Sequence, residues 1–373
     1  MTIGILKEGN GENRVVLLPE HLPSLGKKSI SVMVEKDAGK AAFATDQDYL
    51  DAGASLHVRK EILEKADLIL TIHVNEKEKF PRGKVLVSIF GPMTNLPLVE
   101  QLAGSGVISY SLDMIPRITR AQAVDVLSSM ATVAGYKAVL MAASELPHFF
   151  PMFMSASGTI KPSRILVLGA GVAGLQALAT ARKLGGVVEV FDVRSAVKEE
   201  VMSLGGKFVE VEGARDEAAA GGYAVEQNED YQRRQAELIH QHALQANVII
   251  TTAQIPGKKA PLLIRRETVD GMKPGSVIID LAASTGGNCE LTRNNEKILH
   301  NEVTIIGNSN LPSSIPYDAS KMLGRNFINF LELMVDNEGN LNLDVDDEII
   351  QATCITRDGE IVNERVKGII QTG

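Results

Sequence analysis

Hydrophobic and polar residues alternate along the first third of the chain in two different periods. Short runs rich in Val, Ile and Leu, separated by polar breaks, are typical of buried strands. The stretches between them, such as LPLVEQLAGSG, repeat apolar residues at helical spacing. The runs that predict strands are TIGILKE, ISVMVE, ADLILTIHV, KVLVSIF and VISYSL. Strands that alternate with helices in this way predict a parallel α/β sheet.

A long segment with helical spacing follows, from Ala121 to about Glu145, and it ends before Pro147. The next stretch, HFFPMFMSASGTIKP, has the composition of a connection. The alternation then resumes with the predicted strands RILVLG, VVEVFDV, KFVEV, NVIITT, SVIIDL and VTIIGN. We therefore predict a second α/β domain, joined to the first by the long helix.

The last stretch of the chain contains another amphipathic helix, DASKMLGRNFINFLELMV, which begins near Tyr317. We expect it to return the chain to the first domain, because no sheet remains on the far side for it to cover. The tail DEIIQATCITRDGEIVNERV predicts a β-hairpin across Asp358 and Gly359, since an Asp-Gly pair favours such a turn. The predicted domains are residues 1–130 plus 317–373, and residues 131–316.

The composition narrows the class of protein. With 373 residues, 45% of them hydrophobic and 23% charged, the chain is predicted to be a folded, soluble, two-domain protein. Its net charge of -8 argues against nucleic acid or an anionic membrane as the main partner. No apolar run reaches the roughly 20 residues that span a bilayer, and MTIGILKEGN lacks a signal-peptide pattern. Cys289 and Cys354 have no partner at metal-ligand spacing, so we predict a reducing compartment and no metal site.

The strongest signal lies in LVLGAGVAGLQALATARKLGGVVEVFDVR, residues 166–194. Gly169, Gly171 and Gly174 form G-x-G-x-x-G between a predicted strand and an Ala-rich helix, which is the fingerprint of a Rossmann-like dinucleotide site. Such glycines allow a tight turn, a close approach of the backbone to a pyrophosphate, and close packing of helix on strand. Asp192 is placed to bind an adenosine ribose, which favours NAD(H) over NADP(H). The alternative is a packing turn with Asp192 as a turn or cap residue.

Residues 213–234 form a long polar insertion in this second domain. Insertions of that length are usually lids or disordered linkers, and the residues alone leave both open. In a lid, Gly221 and Gly222 would be the hinge and Tyr223 would reach the cofactor.

The stretch SVIIDLAASTGGNCELT runs from a predicted strand into Gly286, Gly287 and Asn288. The carboxyl end of a parallel strand is where such sheets bind ligands, although an ordinary turn has the same composition. His73 ends the run ADLILTIHV, and a lone histidine at a strand end is more often solvated than catalytic.

The stretch PRITRAQAVDVLSSM crowds polar residues at the start of the long predicted helix. Thr119 and Gln122 fit a capping box, and Asp125 lies near the helix N-terminus, where negative charge is stabilised. Gln122, Asp125 and Ser129 also share one helical face, with Arg117 just upstream. The residues alone leave a capping role and a binding role open.

Nearly the whole chain resembles the NAD(H)-binding domain I of proton-translocating NAD(P) transhydrogenase, the soluble alpha component, a family related to alanine dehydrogenase. The similarity is carried by RITRAQAVDVLSSM, GTIKPSRILVLGAGVAGLQALATARKLG, GGYA, TTAQIPGKKAP, MKPGSVIIDLA and GGNCELT. It implies that Arg117, Gln122 and Asp125 hold the nicotinamide end of NAD(H) and that Tyr223 belongs to a mobile loop. The resemblance also implies a set of cofactor-binding residues: Ser128, Ser129, Gly169, Gly171, Val172, Ala173, Gly174, Asp192, Val193, Arg194, Tyr223, Thr252, Ala253, Gln254 and Asn288.

Direct transfer of hydride between two nicotinamides moves no substrate proton, so it needs positioning groups rather than an acid or base. The rings must be aligned at about 3 to 3.5 Å in a site that excludes water. The resemblance implies two Rossmann-like, doubly wound parallel-sheet domains linked by long helices, with NAD(H) on residues 131–316. It further implies a homodimer whose Re/Si-specific transhydrogenation requires an NADP(H)-binding domain and membrane-spanning, proton-translocating subunits, at the cytoplasmic face of the inner membrane.

An alanine dehydrogenase-like enzyme is the nearest alternative, and that family uses a lysine, a histidine and an aspartate. In a gapless alignment these positions fall, in order, on His73, near Phe90 or Gly91, and on Ser284. All three required groups are missing, which argues against dehydrogenase chemistry. Glu12 and Arg14 remain from the shared pattern, and we interpret them as structural. A non-catalytic NAD(H)-sensing module is a third hypothesis.

Overall fold

The computed structural model describes residues 1–9, 11–211, 229–255, 257–343 and 346–372. They divide into two compact units: Met1–Met130 with Pro312–Gly373, and Ala131–Leu311. The strands are β1 (Thr2–Ile5), β2 (Ser31–Glu35), β3 (Ser55–His57), β4 (Leu68–Leu70), β5 (Val85–Ser88), β6 (Ile108–Ser111), β7 (Phe153–Ser155), β8 (Gly158–Ile160), β9 (Arg164–Leu168), β10 (Val187–Phe191), β11 (Lys207–Val209), β12 (Val248–Thr251), β13 (Val277–Asp280), β14 (Glu296–His300), β15 (Val303–Gly307), β16 (Cys354–Arg357) and β17 (Glu360–Ile361).

The α-helices of the described residues are α1 (Leu22–Gly26), α2 (Asp46–Asp51), α3 (Arg59–Lys65), α4 (Leu96–Gly104), α5 (Val126–Glu145), α6 (Val172–Lys183), α7 (Lys198–Ser203), α8 (Glu229–Ala243), α9 (Arg266–Gly271), α10 (Pro316–Met334), α11 (Glu348–Thr353) and α12 (Glu364–Thr372). Short 3-10 turns join several of them. One of these turns, Thr119–Val124, directly precedes α5.

The sheet of the first unit has the order β17-β16-β6-β5-β4-β1-β2-β3. Its strands from β6 to β3 are parallel, and β16 and β17 extend it in antiparallel fashion. Residues of β4 alternate between two apolar clusters, with Leu68 and Leu70 in one and Ile69 in the other. Helix α10 packs Leu323 and Phe327 into the first of these clusters. Burial on both faces explains why the predicted strands are continuous apolar runs.

The sheet of the second unit has the order β11-β10-β9-β12-β13-β15-β14. All its strands are parallel except β14, which pairs with β15 in antiparallel fashion. From β9 the chain winds outward first through β10 and β11, and then on the other side through β12 and β13. The carboxyl ends of β9 and β12 therefore flank a topological switch point, where such sheets bind ligands. The predicted fold class, two doubly wound parallel sheets, is confirmed.

Some elements differ from their predictions. The predicted connection after α5 contains the hairpin β7–β8, whose residues are all exposed and so leave no apolar periodicity. The C-terminal hairpin across Asp358 and Gly359 is confirmed, with both residues at positive φ, but helices α11 and α12 flank it.

Helix α5 is, among the described helices, long and apolar enough to cross a bilayer by length and composition. Its residues Ala138, Val139 and Ala142 are fully buried in the cluster that also contains Ile165 and Val167 of β9. This packing against the second sheet accounts for its apolar composition as that of a core helix.

Candidate functional site

The glycine-rich loop, residues 169–174, joins β9 to α6 at the switch point. Gly169 has φ +105°, and a Cβ there would lie less than 3.0 Å from the Thr252 hydroxyl. A Cβ on Gly174 would similarly collide with the Gly169 carbonyl. Gly171 is the N-cap of α6 and brings no capping side chain. The first N–H groups of α6 have no partner within the helix by geometry, and such groups are suited to bind phosphate.

Thr252 fastens the end of β12 to this loop. Its backbone N–H donates to the Leu168 carbonyl at 2.8 Å. Its hydroxyl lies 3.3 Å from that carbonyl and 3.2 Å from the carbonyl of Gly169, to which it donates. The structure thus brings together two segments that the sequence separates by about eighty residues.

Asp192 follows β10 at the same edge of the sheet, and its side chain is only 6% exposed. The backbone N–H of Ala170, inside the glycine-rich loop, donates to its Oδ2 at 2.7 Å. Arg194 donates to Oδ1 from its backbone N–H and from Nε, both at 2.9 Å, and to Oδ2 from Nη2 at 2.8 Å. Val193, between them, packs half-buried against an apolar cluster of the second unit.

Asn288 lies fully buried beside the segment after β12. Its Nδ2 donates to the carbonyls of Ala253 at 2.9 Å and Pro261 at 2.7 Å, while its Oδ1 accepts from the Ala253 N–H at 3.1 Å. Gln254 is exposed and donates to the Leu281 carbonyl. Because the amide of Asn288 is engaged in this way, we infer that it acts on a ligand through Ala253.

Beneath Asn288 lies Asp280, a carboxylate that the sequence reasoning missed. It is fully buried at the end of β13. Its two oxygens accept five hydrogen bonds from the following groups: the hydroxyls of Thr251 and Thr292 and the backbone N–H groups of Ala282, Asn288 and Cys289. A carboxylate with so many partners organises the loop that carries Asn288. The only sequence signal was one acid at the end of an otherwise apolar strand.

In the first unit, the polar stretch before α5 departs from its prediction. Thr119 does not cap an α-helix but begins the 3-10 turn, so the predicted capping box at Thr119 and Gln122 is wrong. Asp125 is extended, with ψ 90°, and Ser128 donates to its carboxylate from the backbone N–H at 2.9 Å and from Oγ at 2.6 Å. This is an N-cap interaction, and a carboxylate serves it well. The predicted common helical face of Gln122, Asp125 and Ser129 is therefore also wrong.

Arg117 and Gln122 are exposed in this stretch, whereas Ser128 and Ser129 are half-buried. Tyr223, together with Gly221 and Gly222, lies outside the described residues. Among the residues that the structure does describe, no group of three His, Cys, Asp or Glu side chains is arranged to hold a metal ion.

Glu12 and Arg14 form a buried ion pair in the first unit. Nε and Nη2 of Arg14 donate to the two oxygens of Glu12 at 2.8 and 2.6 Å, and His73 Nε2 lies 3.1 Å from the same carboxylate. Burial by itself would raise the pKa of Glu12, but the hydrogen bonds from Arg14 and His73 outweigh it and hold that pKa well below its usual range. The pairing supports a structural role for both residues, and the His73 side chain is 54% exposed.

Glu12→Gln should lower the free energy of unfolding by about 3 kcal/mol near neutral pH, because it leaves the Arg14 charge buried without its partner. A depressed folded-state pKa means that the stabilisation is complete above the ordinary pKa of 4.5 and is lost as the pH falls through the folded value. Urea denaturation from pH 7 to pH 3 should therefore show the difference shrinking below pH 4.5. Glu64→Gln, at an exposed pair with Lys60, is the control. A difference independent of pH would contradict the assignment.

A glycine-rich turn at a switch point, with an acid after the next strand, defines the class of NAD-binding oxidoreductases with a Rossmann-like fold. Family models for alanine dehydrogenase/PNT match the chain, the N-terminal domain over residues 4–134 and the C-terminal domain over residues 138–364. The chain is 43% identical, over 381 aligned positions, to an NAD(P) transhydrogenase subunit alpha chain of Rhodospirillum rubrum, and 99% of each chain is covered.

The crystal structure of transhydrogenase from Sinorhizobium meliloti is similar with a TM-score of 0.88 and 40% identity, over 97% of this chain and 100% of that one. An alanine dehydrogenase of Mycolicibacterium smegmatis is 26% identical, over 98% of this chain and 96% of its own. The chain therefore belongs to the alanine dehydrogenase/PNT family and, within it, to the NAD(P) transhydrogenase alpha subunits. The resemblance predicted from the sequence is confirmed.

Proposed function

We propose that the chain is the NAD(H)-binding component of a proton-translocating transhydrogenase. In the proposed reaction, NADH + NADP⁺ ⇌ NAD⁺ + NADPH, hydride passes directly to or from NADP(H) on a partner domain. The observation that carries the proposal is the glycine-rich loop, where Gly169 and Gly174 leave no space for a side chain and Asp192 is hydrogen-bonded to Ala170. The relatives named as transhydrogenase alpha subunits support it.

The residues at the edge of the second sheet fit the adenosine and pyrophosphate groups of NAD(H). The backbone of Gly171, Val172 and Ala173 at the start of α6 would bind the pyrophosphate, and Asp192 would face the adenosine ribose. NAD(H) supplies the hydride, and the chain contributes binding, orientation and exclusion of water. Thr252 and the Ala253 backbone would line the same edge, held by the contacts of Asn288.

We further propose that Arg117, Gln122 and Asp125 position the nicotinamide, with Ser128 and Ser129 beside them. The cap formed by Ser128 fixes the Asp125 carboxylate, which suits a residue that orients a ring rather than one that exchanges protons. Arg117 and Gln122 are exposed polar groups that hydrogen-bond without titrating near neutral pH. Tyr223 stays a predicted contact of the proposed mobile loop.

The proposal includes a homodimer as well as the partner subunits. Exposed apolar side chains surround the hairpin β7–β8, among them Phe149, Met152, Phe153, Met154 and Ile160, which are each at least 46% exposed. An apolar group of this kind favours burial against another protein surface. The NADP(H)-binding domain and the membrane-spanning subunits would complete the enzyme at the cytoplasmic face of the inner membrane, and the proton would pass through those subunits.

The chain alone should bind NADH, measured by the cofactor's fluorescence, and should not oxidise it when pyruvate and ammonium are added. With the NADP(H)-binding domain and NADP⁺ present, NADH carrying deuterium at C4 should yield deuterated NADPH. In heavy water with ordinary NADH, the NADPH formed should carry no deuterium, because the hydride passes directly between the rings.

Each component omitted in turn is the control for this experiment. Turnover of pyruvate and ammonium by the chain alone would favour an alanine dehydrogenase instead. Binding of NADH without transfer to NADP⁺, in the presence of a domain that is itself loaded, would favour the sensing module.

A further inference from the structure

We propose that Arg194 determines the cofactor specificity of the adenosine ribose subsite, by competing with the ribose diol for Asp192 and by offering its guanidinium to a 2′-phosphate. This inference rests on the proposed function, because it assigns a second residue to the same NAD(H) site. Asp192 alone would predict simple exclusion of NADP(H) by charge repulsion. The structure has the acid paired with a base two residues later, which changes that prediction.

The Asp192 carboxylate is fully used in the structure. An ionised carboxylate has about four acceptor positions. Oδ1 accepts from the backbone N–H and Nε of Arg194, and Oδ2 accepts from the Ala170 N–H and from Nη2 of Arg194. The side chain of Asp192 is 6% exposed, whereas that of Arg194 is 24% exposed and covers it.

A ribose diol and the guanidinium therefore need the same oxygen atoms. For the two hydroxyls of NAD(H) to donate to Asp192, the bonds from Nε and Nη2 must be given up. The backbone bonds from Ala170 and Arg194 can remain, because they approach from the protein side of the carboxylate. The binding of NAD(H) thus includes the cost of displacing Arg194, and a variant without that guanidinium avoids this cost.

A 2′-phosphate places a different demand on the pair. It cannot donate to Asp192, but a planar guanidinium binds phosphate oxygens well, often through two hydrogen bonds. Arg194 then stays near its present position, and Asp192 orients it instead of repelling the ligand unopposed. We conclude that Asp192 disfavours NADP(H) by its charge, while Arg194 softens that discrimination.

The test is a double-mutant cycle on the full chain, with the dissociation constants of NADH and NADPH measured by fluorescence. Arg194→Met should weaken NADPH by about tenfold or more, since it removes charge-assisted hydrogen bonds. It should leave NADH within about threefold of the wild type, or bound more tightly. Asp192→Asn should weaken NADH by about tenfold and strengthen NADPH, and the double variant should lose that gain.

Arg164→Met is the matched control, because Arg164 pairs with the buried carboxylate of Glu189 but begins β9, at the opposite end of the strand from the glycine-rich loop. It should alter neither constant. Thermal unfolding of every variant separates loss of binding from loss of folding.

Equal weakening of NADH and NADPH by Arg194→Met would overturn the proposal, since a merely structural role affects both cofactors alike. An NADPH gain in Asp192→Asn that persists in the double variant would overturn it as well. If the folded wild type binds neither dinucleotide, the proposed function fails. Normal NADH binding with selectivity independent of Arg194 sinks only the present inference.

Discussion

Asp280→Ala is expected to lower the free energy of unfolding by on the order of 5 kcal/mol, the largest stability effect foreseen for one side chain here. The substitution removes a fully buried acceptor of five hydrogen bonds and leaves their donors without it. Three of those donors are backbone N–H groups, which cannot turn away to find water. The measurement is urea denaturation at pH 7, with the slope compared to that of the wild type.

Asp280→Asn should lie between the wild type and Asp280→Ala. An amide keeps the shape of the side chain but offers one acceptor oxygen instead of two, so some of the network survives. Asp270→Ala is the control, because Asp270 is a partly exposed acid paired with His300 on the surface of the same unit. A loss of less than about 1 kcal/mol in Asp280→Ala would mean that the loop does not depend on this carboxylate.

The same variant should weaken NADH binding before the chain unfolds. Asp280 accepts from the Asn288 N–H at 2.8 Å, and the Asn288 amide in turn bonds both backbone groups of Ala253. Loosening Asn288 therefore frees the segment after β12 at the proposed cofactor site. A normal NADH affinity in folded Asp280→Ala would place this segment outside the site.

The sheets were predictable from the sequence because their strands are buried on both faces. A run such as SVIIDL satisfies no other environment, and the G-x-G-x-x-G pattern fixes its own strand and helix by sterics at Gly169 and Gly174. The hairpin β7–β8 gave no such signal, since its side chains are exposed and its strands have three residues each. The edge strand β14 likewise mixes Glu296 and Lys297 with apolar residues.

The details of the candidate site needed the structure, because they depend on which of several equivalent polar groups wins a partner. Thr119 and Gln122 match a capping box as well as any pair, yet the helix starts later, where Asp125 accepts from Ser128. Spacing identified Asp192 but not the return of Arg194 onto its carboxylate. Such choices are settled by tertiary packing, which local patterns do not encode.

Gly135→Val is expected to weaken NADH binding by on the order of a hundredfold, the largest functional effect foreseen. Gly135 lies on α5 and packs against Ala173 at the start of α6. A Cβ there would lie less than 3.0 Å from the carbonyl oxygen and the carbonyl carbon of Ala173. Both are backbone atoms, so no change of rotamer relieves the collision. Helix α5 is held in the core by Ala138 and Ala142, and therefore the start of α6 and the glycine-rich loop must yield.

The choice of ligands tells which region of the site has moved. ADP-ribose carries the pyrophosphate, so Gly135→Val should weaken it about as much as NADH. Adenosine lacks phosphate and should lose little, because its ribose faces Asp192 after β10. Gly104→Ala is the control, since Gly104 ends α4 with no atom within 4 Å of the added carbon. Equal losses for adenosine and ADP-ribose would indicate damage to the whole unit. A loss confined to the phosphate-bearing ligands would show that the contact between α5 and α6 sets the position of the phosphate-binding backbone.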